Sequence, residues 1–258
     1  MINCRGTRGT GDREREEQGT GEGQGRDRGG TVPEFVAGRP RTLYTLIFMR
    51  QPREFYKGGF WHILNRGVAK GNIFREKEDF RFYLYKVKEF LEKYPVTIHA
   101  YNLIFNHLHH LIQQTSDVIP GKFIGSLHTS FGLHINQKYS RVGHLFQDRY
   151  KAKAIETSSL LPISLYINLN KLLEKLGHTE KSRISKRDLA KLLEEAEKDP
   201  WSSYPVYLGL RDDGITQTRF ILSLLSDDIK KAQQEYRKLA KEFLISGYFL
   251  KTRDLIFE

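Results

Sequence analysis

Cysteine is almost missing. The chain of 258 residues holds one, Cys4, so neither an intrachain disulfide nor a cysteine-built zinc centre is available. That usage fits a reducing cytoplasm. Long apolar runs are missing as well, and no stretch approaches the roughly 18–20 residues that cross a bilayer. The first residues carry Arg, Gly and Glu where a secretory signal would carry an apolar core, so neither export nor a membrane is expected. Acidic charge is in deficit: 42 Lys and Arg against 31 Asp and Glu give a formal charge of +11. Anionic partners are favoured, nucleic acid first among them.

Lysine is missing from residues 1–48, which are crowded instead with Gly, Arg, Glu and Thr. Few apolar side chains lie between Arg5 and Gly30, so this segment is expected to be disordered. The text changes at Met49 to an aromatic-rich, lysine-containing domain, and Met49 reads as the natural start. A basic arm that holds DNA is the other reading of 1–48, weakened because its opposing charges nearly cancel.

From Met49 the pattern alternates between strand and helix. Phe60 to Leu64 reads as a strand closed by Asn65-Arg66-Gly67. Lys77 to Tyr94 places Phe80, Leu84, Val87, Leu91 and Tyr94 on one stripe of an amphipathic helix that Pro95 ends. Val96–Phe105 and His107–Gln113 read as strands joined by a turn at Asn106. Pro120–Tyr139 reads as a helix, and Tyr150–Ile155 as a half-exposed strand with Lys151 and Lys153 on one face. Thr157-Ser158-Ser159 offers a cap for the next helix, which tolerates Pro162 in its first turn and ends at Gly177. A charged surface helix over Glu180–Lys198 and further helices through Phe220–Leu224 and Ile229–Leu244 complete the chain. The order β-α-β-β-α-β predicts an α+β fold: a ferredoxin-like split β-α-β antiparallel sheet with helices, plus a C-terminal helical extension.

His107-Leu108-His109 carries the chemistry. Side chains alternate along a strand, so the two imidazoles share a face and can share an ion. Tyr166 and Asn170 are one helical turn apart on one helix face. Two imidazoles, an amide oxygen and a phenol can hold a divalent cation and attack a phosphodiester. Imidazole and amide ligands suit Mg²⁺ or Mn²⁺ with open water positions, whereas zinc would recruit a further Cys, His or carboxylate. His110 points to the other side of the strand. The blander reading makes His107 and His109 ordinary strand histidines and Tyr166 a core aromatic; Tyr139 and Tyr150 are rival nucleophiles without an amide one turn on.

The ordered set Met49-Arg50-Gln51-Pro52-Arg53, Phe60-Trp61-His62-Ile63, Asn65-Arg66-Gly67, Asn72-Ile73-Phe74, His99-Ala100-Tyr101, Asn106-His107-Leu108-His109, Gly143 to Lys151, Tyr166 to Asn170 and Trp201-Ser202-Ser203-Tyr204 resembles the single-tyrosine HUH transposases, most closely the REP-associated tyrosine transposase (IS200-like) branch. The resemblance runs from Met49 to about residue 245. It implies a catalytic domain over 49–178, with 179–258 as a charged insertion and helical extension. It also implies Tyr166 as nucleophile, His107, His109 and Asn170 as metal ligands, and a 5′-phosphotyrosine intermediate. The substrate it implies is single-stranded DNA beside hairpins, handled by a monomer or a homodimer in contact with the bacterial nucleoid. Phe105 replaces the family's usual Pro, and Lys171-Leu172 its usual Pro-Val. The second change extends the tyrosine helix and is expected to alter its docking. Asn65, Arg66, Arg149, Lys151 and Lys153 are expected to bind DNA phosphates, and Trp61 and Phe146 to stack on unpaired bases. The competing reading is a catalytically silent module that binds hairpin DNA or RNA on the same fold, which would bind regardless of EDTA and form no covalent adduct.

Overall fold

Strand-forming residues in period-two alternation open the folded part. In the computed structural model, which describes residues 55–176 and 186–246, Phe60–Arg66 is strand β1. Helix α1 (Lys77–Leu91) follows, then β2 (Val96–Ile104) and β3 (His107–Gln114), helix α2 (Pro120–Lys138) and β4 (Lys151–Ile155). The sheet order is β2-β3-β1-β4, with every neighbouring pair antiparallel. This is the expected split β-α-β sheet. Segment 1–48, Met49 to Arg53, Gly177, His178 and the first part of the charged stretch lie outside the described residues.

The element ends shift for local reasons. Helix α1 stops at Leu91 rather than Tyr94, because Pro95 disfavours helical geometry in the residue before it. No side-chain cap forms at Ser159. A single 3₁₀ turn over Thr157–Ser159 leads into helix α3 (Leu160–Lys175) instead, with Pro162 in the first turn.

One sheet face carries Trp61, Ile63, Leu103, Leu108 and Ile112 against Phe80 and Tyr83 of α1 and Phe123 and Phe131 of α2. A bulge at His99 separates the pairs Ile98–Ile112 and Ala100–Leu111. The extra residue reverses the parity of β2, so Tyr101 and Leu103 stay on that face. The opposite face, with Phe60, Ala100 and Leu111, lies under α3 and four further helices. These are α4 (Lys186–Glu197), α5 (Tyr204–Tyr207), α6 (Arg219–Ser223) and α7 (Ile229–Ser246). The C-terminal helices supply Leu189, Tyr204, Tyr207, Tyr236 and Phe243 to the same core as Tyr166. Among the described residues no helix is long and apolar enough to cross a membrane.

Asp79 ties α1 to α2. Its buried carboxylate accepts the Arg75 and Glu76 N–H groups (2.8 and 3.2 Å), Lys138 Nζ (2.7 Å) and Tyr139 Oη (2.9 Å). Burial pushes its pKa up, but the bonds from Lys138, Arg75, Tyr139 and Glu76 outweigh that and hold it below the usual carboxylate value. A depressed carboxylate stabilises the fold above its unfolded pKa near 4, and that contribution disappears as pH falls through the lower folded value. Asp79→Asn is therefore expected to cost about 2 kcal/mol at neutral pH, since an amide meets donors where a carboxylate accepted them. Its melting temperature should also fall less steeply than the wild type's below pH 4. Thermal melts across pH check both.

Candidate active site

The pleat of β3 sets the imidazoles. His107 pairs with Arg66 and His109 with Leu64, so both rings project towards α3, with centroids 5.0 Å apart. His110 projects to the α1–α2 face, where it lies beside Tyr83. Burial, then the nearby His62, pushes its pKa down to about 3.

Each ring of the pair is held from behind. His107 Nδ1 lies 2.7 Å from Asn106 Oδ1, which turns Nε2 towards Asn170 Oδ1 (3.2 Å) and Glu174 Oε1 (3.6 Å). His109 Nδ1 lies 2.9 Å from His62 Nε2. The other nitrogen, His109 Nε2, is buried without a hydrogen-bond partner among the described residues. Burial, followed by the charges of His107 and His62, pushes the His109 pKa well below its ordinary value. His109 is therefore neutral.

Helix α3 is pinned over this face by buried polar groups. Asn102 of β2 donates to the Ile167 and Asn168 carbonyls (2.8 and 3.2 Å). Ser202 Oγ donates to the Asn168 carbonyl (3.1 Å), Ser203 Oγ to Asn168 Oδ1 (2.5 Å), and Asn168 Nδ2 to Tyr236 Oη (2.8 Å). The Trp201–Tyr204 segment itself runs beside β2, with Leu103 N–H donating to the Trp201 carbonyl and Ser203 N–H to that of Tyr101. These bonds position the helix, while Asn102 Oδ1 is buried without a hydrogen-bond partner among the described residues. Lys171 reaches Asp199 (2.9 Å) and Lys175 reaches Glu195 (2.8 Å), while Leu172 is buried in the core. Lys171-Leu172 thus docks the charged region onto α3.

Tyr166, Asn170 and Glu174 form one stripe of α3. The Tyr166 ring is 1% exposed and meets the His62 and His109 rings edge-on, at 6.0 and 5.9 Å. It forms part of the wall of a cavity of about 490 Å³ that His107 and His109 also line. Arg66, Lys70, Arg149 and Lys151 bring cations to that wall, against the carboxylates of Asp148 and Glu174. Among the described residues Arg66 Nε is buried there without a hydrogen-bond partner. No group of three His, Cys, Asp or Glu that could hold a metal ion occurs among the described residues, so an ion here depends on the Asn170 amide.

The remaining expected residues divide. Lys153 shares the face of Lys151 but pairs with His62, one step beyond the cavity wall. Asn65 borders the cavity, yet its side chain donates to His128 Nδ1 (3.1 Å) on the other face and accepts Arg66 N–H (3.0 Å). Trp61 corrects an expectation. It is 4% exposed and packed against Phe55 and Tyr56, because its strand parity points it to the α1–α2 core, where no base can stack. Phe146 stacks on His128. Tyr139 Oη is engaged by Asp79, and Tyr150 packs beside His128 on the same side, both away from the imidazole pair. Lys70 and Glu174 were not singled out in the sequence. Glu174 was signalled by its place one turn beyond Asn170; Lys70 carried no pattern.

Residues 58–170 match the family described as "Transposase IS200 like". No curated protein matches the chain. A solved structure of a REP-associated tyrosine transposase bound to a REP hairpin is similar at 18% identity and TM-score 0.45, covering 66% of this chain and 92% of its own. A candidate transposase from Deinococcus radiodurans R1 is similar at 13% identity and TM-score 0.34, covering 46% and 95%.

Proposed function

We propose that this protein cleaves and rejoins single-stranded DNA beside hairpins, with Tyr166 as the nucleophile. The Tyr166 oxygen attacks the scissile phosphorus, gives up its proton, and becomes joined to the 5′-phosphate end of the fragment that lies 3′ of the break. The bond from phosphorus to the 3′ oxygen breaks, and that oxygen leaves as a 3′-hydroxyl once protonated. Attack by a 3′-hydroxyl on the phosphotyrosine reverses the step and frees the tyrosine. The phosphodiester bond is exchanged rather than hydrolysed, so no nucleotide cofactor enters.

The observation that carries this reading is the edge-on placement of Tyr166 against His109 beside a cation-lined cavity. The tautomers support a divalent cation, Mg²⁺ or Mn²⁺. With Nδ1–H donated to Asn106 and His62, both Nε2 lone pairs face the site. His107 Nε2 and Asn170 Oδ1 lie 3.2 Å apart, and His109 Nε2 has no hydrogen-bond partner among the described residues. A cation held by His107, His109 and Asn170 would, when bound, neutralise charge building on the phosphate oxygens. Arg66, Arg149 and Lys151 orient the strand by its phosphates, Lys153 extends that track, and Asn65 holds the end of β1 in place.

The test is incubation with hairpin DNA labelled on either side of the cleavage point, with Mn²⁺ or EDTA, read on denaturing gels and by peptide mass. A metal-dependent Tyr166 adduct to the 5′-phosphate of the fragment 3′ of the break is expected, with the other fragment released as a free 3′-hydroxyl. Hairpin binding indifferent to EDTA, with no adduct on any tyrosine, would establish the silent binding module instead.

A further inference from the structure

The turn after β1 carries strained backbone at the edge of the cavity. Ala69 (φ 52°, ψ 31°) and Lys70 (φ 59°) are successive left-handed residues. Glycine adopts that conformation freely, and residues bearing a side chain avoid it. Glycines stand close by, yet neither strained position uses one. Gly67 serves a different need: a Cβ there would sit 2.1 Å from the Gly71 carbonyl oxygen.

The turn is clamped from both sides. Gly67 N–H donates to the Asn106 carbonyl (2.8 Å), Val68 N–H to that of Leu145 (3.1 Å) and Ile73 N–H to that of Phe105 (2.7 Å). The same clamp fixes the loop that ends at His107. Lys70 is exposed and contributes nothing to either core cluster. Packing therefore gives no reason for its conformation. What the conformation does is bring a fourth cation to a wall that already carries Arg66, Arg149 and Lys151. The four cations outnumber the carboxylates of Asp148 and Glu174 on the same wall, and a DNA phosphate would offset the surplus. Strain retained beside a site is a mark of function.

We propose that Lys70 contacts a backbone phosphate of the bound DNA strand, next to the phosphate that Tyr166 attacks, and that the left-handed turn exists to hold its ammonium over the cavity. This rests on the DNA-cleaving reading above. A lysine ammonium is a compact point charge with three donors, suited to a phosphate whatever base it bears.

Three variants test it: Lys70→Gly removes the charge and relieves the strain, Lys70→Arg keeps the charge, and Ala69→Gly relieves the strain alone. Each is compared with wild type by thermal melting and by anisotropy titration of a tailed hairpin oligonucleotide and a scrambled one over a range of salt. Lys70→Gly should melt at or above the wild-type temperature and bind both oligonucleotides about tenfold more weakly. Its slope of log affinity against log salt should be smaller by about 0.7, the loss of one single-strand phosphate contact. Lys70→Arg should restore most of the affinity, and Ala69→Gly should melt higher with the slope unchanged. A wild-type slope and affinity in Lys70→Gly overturns the proposal, as does a lowered melting temperature with an unchanged slope. If wild type forms its Tyr166 adduct while Lys70→Gly keeps its slope, only the Lys70 assignment fails. Wild type that binds no DNA overturns both readings.

Discussion

Tyr166→Phe is expected to lose strand cleavage by on the order of 10⁴-fold or more, and to form no covalent DNA adduct, while binding hairpin DNA within about twofold of wild type. The substitution removes one oxygen and leaves the ring. The edge-on contacts with His62 and His109 and the packing within α3 persist. Stability should change by about 1 kcal/mol or less, the worth of one hydroxyl's bonding. Denaturing gels report cleavage, anisotropy reports binding, and a melt shows that the fold is intact. Undiminished cleavage in this variant would end the case for Tyr166 and send attention to another nucleophile.

The second large effect is expected at His109. Among the described residues its Nε2 has no hydrogen-bond partner, and burial keeps the ring neutral, so it is the ring of the pair best placed to accept an ion in the proposed reading. His109→Leu keeps most of the buried volume and removes that pair. Mn²⁺ affinity, measured by calorimetry without DNA, should fall by about 100-fold or more, and cleavage should fall with it. Hairpin binding in EDTA should be little changed, because the cations lining the cavity remain. His62→Phe separates position from ligation: it deletes the partner of His109 Nδ1 without touching Nε2, and should weaken Mn²⁺ binding by about 10–100-fold. Unaltered Mn²⁺ affinity in His109→Leu would refute an ion at this place.

Much of the scaffold is legible in the residues because it follows from local periods. β1, β2, β3 and β4 come from strand alternation, α1 from its stripe ending before Pro95, and the shared direction of His107 and His109 from pleat alone. What the sequence hid depends on contacts across the fold. Nothing local in Trp201-Ser202-Ser203-Tyr204 tells that its hydroxyls meet Asn168 and the α3 backbone. The parity of Trp61 is readable, but which face becomes core is decided only when α1 and α2 close over it. Asn65 is similar: its amide is taken by His128, which lies on another element. The left-handed turn at Ala69 and Lys70 opposes local propensity, and it holds only because Asn106, Leu145 and Phe105 clamp it.

The near-total burial of the Tyr166 ring bears on the fate of the reaction. A phosphate ester formed on that oxygen would sit against a cavity walled by α3 and the imidazoles, which a docked strand would fill in place of water. Hydrolysis, which would strand the DNA as a dead-end nick, is thereby disfavoured relative to attack by a hydroxyl delivered on a docked strand. The protein would then behave as a patient joiner of ends, holding one half of a broken strand until its next partner arrives.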